Sequence, residues 1–224
     1  MTISKIYSIR SGLKPASMAL LCMALVVVFH GCKGSELIER FKKSEDPYQN
    51  SAYPAALEEW TRNARSYTGF ELKFIVSATL KSLRFRNAYT DEYCRIYKLA
   101  GKDKEALLKD QKKAATAYND FVMGVYVPDK SWNDLNKKKS IWKIYLAIGE
   151  NKRIEPLEIR KIKKADALCR HFYPYITPWK SVYFVRFPVN LKKGDNTLID
   201  KKGTSVKLII TSVLGSAEMV WGNI

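Results

Sequence analysis

The chain has 224 residues and a mass of 25.7 kDa, enough for one domain of about 100–200 residues with appendages and too little for a large multidomain enzyme. With 46% hydrophobic and 27% charged residues it can bury a core, which excludes a disordered tail and a collagen-like fibre. Lys and Arg total 39 against 22 Asp and Glu, a formal +17 that concerns partners and solubility rather than fold.

Residues 1–15 carry Lys5, Arg10 and Lys14 and no acid, and residues 16–29 (ASMALLCMALVVVF) carry no charge at all. A helix needs about 20 apolar residues to span the hydrocarbon layer, so this run is short for an anchor and suited to the apolar region of an export signal. Just beyond it stand Phe29, His30, Gly31 and Cys32, followed by the polar Lys33, Gly34, Ser35 and Glu36.

That arrangement resembles the lipobox of bacterial lipoproteins, whose signal is cut before a cysteine that then carries thioether-linked diacylglycerol. Gly31 and Cys32 match the pattern, whereas Phe29 and His30 depart from it. A rival start at Cys22 would expose MALVVVF to water, so Cys32 is the expected lipid-attachment residue. The resemblance implies a signal peptide over 1–31 and a membrane-anchored body facing the periplasm. Lys33, where the family's inner-membrane proteins carry Asp, favours the outer membrane. An uncleaved signal anchor and secretion without lipid stand as the alternatives.

Without residues 1–31 the chain keeps 36 basic and 22 acidic side chains. Residues 32–55, polar and holding two prolines, read as a tether. The body is expected over 56–224. Within it, Leu72, Phe74, Val76 and Ala78 alternate as a half-buried strand, taken as the first. Phe85, Tyr89, Tyr93 and Tyr97 then recur every four residues, marking one face of a helix near 84–100. Gly101 is placed to end it. Asp103 opens a second helix near 103–117, closing a helical hairpin.

From residue 120 on, strand-like runs dominate at 121–127, 141–148, 154–162, 182–189, 206–212 and 217–221, and a short helix fits 165–171. Turn residues separate the runs, a spacing that suits an antiparallel sheet fold rather than a βαβ pattern. The expected class is α+β: an antiparallel β-sandwich, immunoglobulin-like or related, of about seven strands with the hairpin inserted after the first.

Chemistry has little to work with. Only His30 and His171 occur, and His30 leaves with the signal, so a multi-imidazole zinc site is impossible and a Ser-His-Asp relay lacks a nucleophile motif. The phosphate-binding, dinucleotide-binding, zinc-protease and hydrolase signatures are all missing. No catalytic residue, metal or cofactor is expected, and the chain is read as a non-enzyme.

Cys94 and Cys169 would share an oxidising compartment. They either pair, closing a 75-step loop for on the order of 4 kcal/mol, or stand as two small buried hydrophobes. The tryptophans 132, 142, 179 and 221 are read as core, with a ligand groove around Tyr173, Tyr175 and Trp179 as the minor alternative.

Lysines gather in blocks, notably Lys137, Lys138 and Lys139, and Lys161, Lys163 and Lys164. These are the candidate contacts to an anionic surface, with loop solubility as the plain alternative. Export argues against nucleic acid. The expected protein is therefore a lipid-anchored envelope lipoprotein, a non-catalytic binding or structural module. Its partners would be the membrane, an anionic lipid or envelope polymer, or other envelope proteins. An accessory lipoprotein of a transport or secretion complex, or an envelope hydrolase, is the alternative.

Overall fold

The computed structural model describes residues 48, 50–148, 152–189 and 205–222. The expected signal peptide, Cys32, most of the tether and the lysines of 192–202 lie outside them. The chain divides at Gln49/Asn50 into two compact units, and everything below concerns the second.

Helix α1 (Tyr53–Trp60) opens the body, with Pro54 in its first turn, where a missing N–H costs nothing. Tyr53 is fully buried, so the packed body takes in a residue that the sequence assigned to the tether. Strand β1 (Thr61–Thr68) follows directly and pairs with β2 (Glu71–Leu80). The strand read from residues 71–80 is therefore the second, and the hairpin follows β2 instead of the first strand. Sequence alternation could not show β1, because TRNARSYT has only Ser66 buried.

Helix α2 (Leu83–Tyr97) is capped by Ser82, whose hydroxyl accepts from the Phe85 N–H at 3.1 Å. Lys98 adopts the left-handed conformation that closes α2, so Gly101 is not its stop; with φ of 55° it opens α3 (Gly101–Ala117). Strand β3 (Tyr118–Tyr126) then returns beside β2. After a loop holding a short 3₁₀ turn at Lys130–Trp132 come β4 (Lys143–Ile148), β5 (Lys152–Ile154) and β6 (Glu158–Ile162). Pro156 lies in the break between β5 and β6, which the sequence merges into one strand. Helix α4 (Ala167–Phe172), β7 (Ser181–Pro188), β8 (Val206–Ser212) and β9 (Gly215–Trp221) complete the order.

The strands form two antiparallel sheets, five in the order β1-β2-β3-β7-β6 and four in the order β5-β4-β8-β9. The fold is thus α+β and rich in strand. β5 and β6, adjacent in sequence, belong to different sheets.

Strand parity decides what each face of the five-stranded sheet meets. Phe74, Val76, Ala78 and Leu80 of β2 and Phe121, Met123 and Val125 of β3 are buried on one face. Phe74 meets Trp142 edge-on at 4.8 Å, and Phe121 meets Trp221 at 5.3 Å, so aromatic contacts join this face to the four-stranded sheet. The opposite face mixes Ser77, Thr79 and Asp120 with Val122 and Val182, and its polar groups are met from the helical side. Tyr175 OH shares a 2.8 Å hydrogen bond with Thr79 Oγ1 and donates to the Val122 carbonyl at 2.9 Å. Tyr53, Phe85, Tyr89, Phe172 and Tyr173 form the aromatic packing among α1, α2 and α4. Each such ring, fully buried, contributes about 1.5–3 kcal/mol.

Candidate anion-binding surface

Antiparallel register fixes what emerges at each end of the sheets. The β1–β2 turn lies over residues 68–71, and β3 leaves upward past Tyr126, which stands opposite Ile75. β6 ends at Ile162 opposite Val182, and β7 begins at Ser181 opposite Val125. In the other sheet the β8–β9 turn spans 212–215, and β4 starts at Lys143 opposite Thr211. The β8–β9 turn meets β1 at Ser66, where a side chain added to Gly215 would overlap the serine hydroxyl. The turns at 68–71 and 212–215, the 127–142 loop, and the chain just after β6 and just before β7 therefore share one end of the body.

All six candidate lysines lie at that end. Lys138, Lys139, Lys163 and Lys164 are exposed. Lys137 stands 3.7 Å from Asp134 on its own loop, with its side chain two-thirds exposed. Lys161 differs from the rest. Its Nζ donates to the Asn133 carbonyl at 2.9 Å and lies 5.4 Å from the centre of the Tyr183 ring, and burial, followed by the nearby Lys137 charge, pushes its pKa down. Lys161 thus holds the 127–142 loop to β6, and Tyr183 OH helps by donating to the same Asn133 carbonyl at 2.7 Å.

A hollow of about 180 Å³ beneath this loop is lined by Lys137, Lys138, Ser140, Lys143, Tyr145 and Glu155, among others. Three lysines, two hydroxyl side chains and one carboxylate along the lining give it a positive balance, which favours an anionic group.

Sequence reading missed what surrounds the lysines. Phe70 is fully exposed, Val213 is 90% exposed, Trp179 76%, Tyr67 54% and Trp132 42%. Trp132 and Trp179 were expected in the core, and only Trp142 and Trp221 of the four are buried there. Trp132 instead offers its carbonyl to the Trp142 indole N–H at 2.7 Å. Tyr173 is buried beside Phe85, Tyr175 is bonded to the sheet through Thr79 and the Val122 carbonyl, and Trp179 is exposed. The one available signal was turn chemistry: Gly69 and Gly215 each sit beside an apolar residue at a hairpin tip.

The remaining candidates lie elsewhere. Cys94 is a buried free thiol and Cys169 a half-buried one, whose pKa burial pushes up. His171 Nε2 is 2.9 Å from Glu92 Oε1. Glu92 also accepts from Arg95 Nε and Nη2 at 2.8 and 2.7 Å. The Arg95 hydrogen bonds lower the Glu92 pKa to about 2 against the opposing effect of burial, with smaller help from Ser51 and His171. Among the described residues no group of three or more His, Cys, Asp or Glu is arranged to hold a metal ion. None of the described helices is long and apolar enough to cross a membrane.

No protein-family model matches the chain, and no curated protein matches it. Among solved structures, it is similar to a novel protein of unknown function from Burkholderia pseudomallei K96243, at 10% identity and a TM-score of 0.40, over 81% of this chain and 87% of that one.

Proposed function

We propose that the protein is a lipid-anchored envelope lipoprotein, acylated at Cys32, whose body is a non-catalytic module that binds an anionic envelope component. We read its two sheets as a sandwich of the immunoglobulin-like kind, an arrangement favoured by the Phe74–Trp142 and Phe121–Trp221 contacts between them.

The observation that supports the binding role is that lysines of the 127–142 loop, of the start of β4 and of the end of β6 lie at one end of the body, where Lys137, Lys138 and Lys143 line a hollow. Lysines kept only for solubility have no reason to gather. The anchor rests on the sequence: an apolar run of export-signal length followed by Gly31 and Cys32.

The test has two arms. Globomycin treatment or Cys32→Ser is expected to leave a heavier precursor and to change membrane fractionation; an unchanged mass and location would remove the anchor. A soluble polyanion such as polyphosphate is expected to bind the chain, and charge reversal of Lys137, Lys138 and Lys139 is expected to weaken that binding. Equal binding by the reversed variant would remove the anionic partner.

A further inference from the structure

The exposed apolar side chains at the lysine-rich end have no packing role. Phe70 stands at the tip of the β1–β2 turn beside Gly69, whose φ is 60°. Val213 stands at the tip of the β8–β9 turn before Gly215. Gly215 packs against Ser66 of β1, two residues before the β1–β2 turn begins, so both turns lie at the same end of the body. A lone exposed apolar residue is ordinary on a protein surface. Two hairpin tips at one end of the body, each ending in an apolar side chain with nearly all its surface in water, are less ordinary.

What accompanies these tips says what they fit. Tyr67, Trp132 and Trp179 have amphipathic rings, the type that settles at a membrane–water boundary. The same end carries the exposed Lys137, Lys138, Lys139, Lys163 and Lys164, along with fewer carboxylates, of which Glu71 stands 2.7 Å from Lys73 and Asp134 3.7 Å from Lys137, while Asp129 is taken up by Ser131 and Asp166 by the start of α4. One end that carries apolar tips on its β1/β9 side, amphipathic rings and lysines on its β6/β4 side offers both chemistries of an anionic bilayer surface, acyl boundary and phosphate. A soluble acidic polymer would have use for the lysines and none for the apolar tips.

We propose that this end is a membrane-docking surface: Phe70 and Val213 enter the acyl boundary of an anionic bilayer while the lysines of the same end meet its phosphates. The proposal rests on the anionic-binding reading above and names the bilayer as the partner.

The chain from Lys33 serves as the parent, without the acyl group and the apolar leader, and its folding is verified by circular dichroism first. Three probes separate the outcomes: vesicles of phosphatidylglycerol in phosphatidylcholine, vesicles of phosphatidylcholine alone, and soluble polyphosphate. The parent is expected to co-sediment with the anionic vesicles and far less with the neutral ones. Phe70→Ser with Val213→Ser is expected to lose about tenfold or more of the anionic-vesicle affinity and to bind polyphosphate as before. In Phe70→Trp, fluorescence on anionic vesicles is expected to gain a blue-shifted component, absent from the parent, that brominated lipid quenches.

If the serine variant binds anionic vesicles like the parent while the lysine-reversed variant does not, the docking proposal fails and the anionic reading survives. If the parent binds neither vesicles nor polyphosphate, both fall. Circular dichroism of each variant guards against misfolding, and the tryptophan variant removes no apolar surface.

Discussion

Asp120 of β3 and Arg86 of α2 face each other at 2.8 Å, and each side chain is only 2% exposed. Arg186 of β7 closes on the same carboxylate, with Nε 2.8 Å from Oδ1 and Nη2 3.0 Å from Oδ2. Arg86 also donates to the Lys81 carbonyl and to Gln111 of α3, so one buried carboxylate holds the helical hairpin to the centre of the five-stranded sheet. Removing one partner of such a pair costs about 3–5 kcal/mol, because the other charge stays buried. Asp120→Ala is expected to cost that much in urea unfolding, and Arg186→Met, whose side chain is 30% exposed, clearly less. A cost below about 1 kcal/mol for Asp120→Ala would show that the pair is incidental.

Lys81 stands at the edge of that cluster, its ammonium 5.4 Å from the centre of the Tyr89 ring. Burial, aided by Arg86 and then Arg186 and opposed by Asp120, lowers its pKa from 10.5 to about 8. The unfolded chain therefore binds more protons than the folded one between about pH 8 and 10.5, and stability contributed by this group rises with pH through that window. Lys81→Met is expected to be more stable than the parent at neutral pH by about 1–3 kcal/mol and to lack the rise above pH 8. Paired denaturation curves across that range decide it, and parallel profiles would exclude the role.

How much of this was legible in the sequence depends on the kind of signal. Apolar alternation marks β2 and the core strands β3, β7 and β8 within a few residues, because those strands bury at least one whole face. The stripe of Tyr89, Tyr93 and Tyr97 marks α2, where neighbouring rings lie 6.3 and 4.5 Å apart. Yet β1 is an edge strand with little to bury. The 154–162 run shows apolar residues on both sides of Pro156 and gives no sign that its halves join different sheets. Arg86 and Asp120 lie 34 positions apart, and charged side chains are normally on the surface, so no local pattern exposes their pairing. The lysine blocks were visible at once, but their convergence on one end with Phe70 and Val213 follows from register, which one chain's letters do not encode.

Glu92 is acid-sensitive in the opposite sense to Lys81. Its folded pKa, near 2, lies below the ordinary 4.5, so its contribution is complete above about pH 4.5 and disappears as pH falls toward 2. The side chain is wholly buried among Arg95 and His171, and the contribution is of order 2–3 kcal/mol. Glu92→Gln is expected to lower stability at pH 7 and to flatten the acid limb between pH 4.5 and 2. An acid limb identical to the parent's would assign that loss to other carboxylates.

Cys94 and Cys169 stand as separate free thiols. Alkylation of the unfolded chain without reductant is expected to modify both. In the folded chain Cys169 is expected to react before Cys94, since it is half-buried and Cys94 nearly hidden. Protection of both in the unreduced, unfolded chain would reveal a disulfide between them.

Gly215 links stability to the docking end. Its φ of 148° lies in a region that residues with a β-carbon rarely adopt, and a methyl group there would overlap the Ser66 hydroxyl. Gly215→Ala therefore meets backbone strain and a steric clash at once, an expected cost of about 2 kcal/mol or more. Adding Ser66→Gly removes the clash and leaves the strain, so the double variant is expected to recover part of the loss and not all of it. A full recovery would mean that the clash alone matters, and no loss at all would mean that the β8–β9 turn is not held against β1 as described. Because the strained turn carries Val213 and the facing strand leads to Phe70, Gly215→Ala is also expected to weaken anionic-vesicle binding under conditions where the variant remains folded, with the double variant in between.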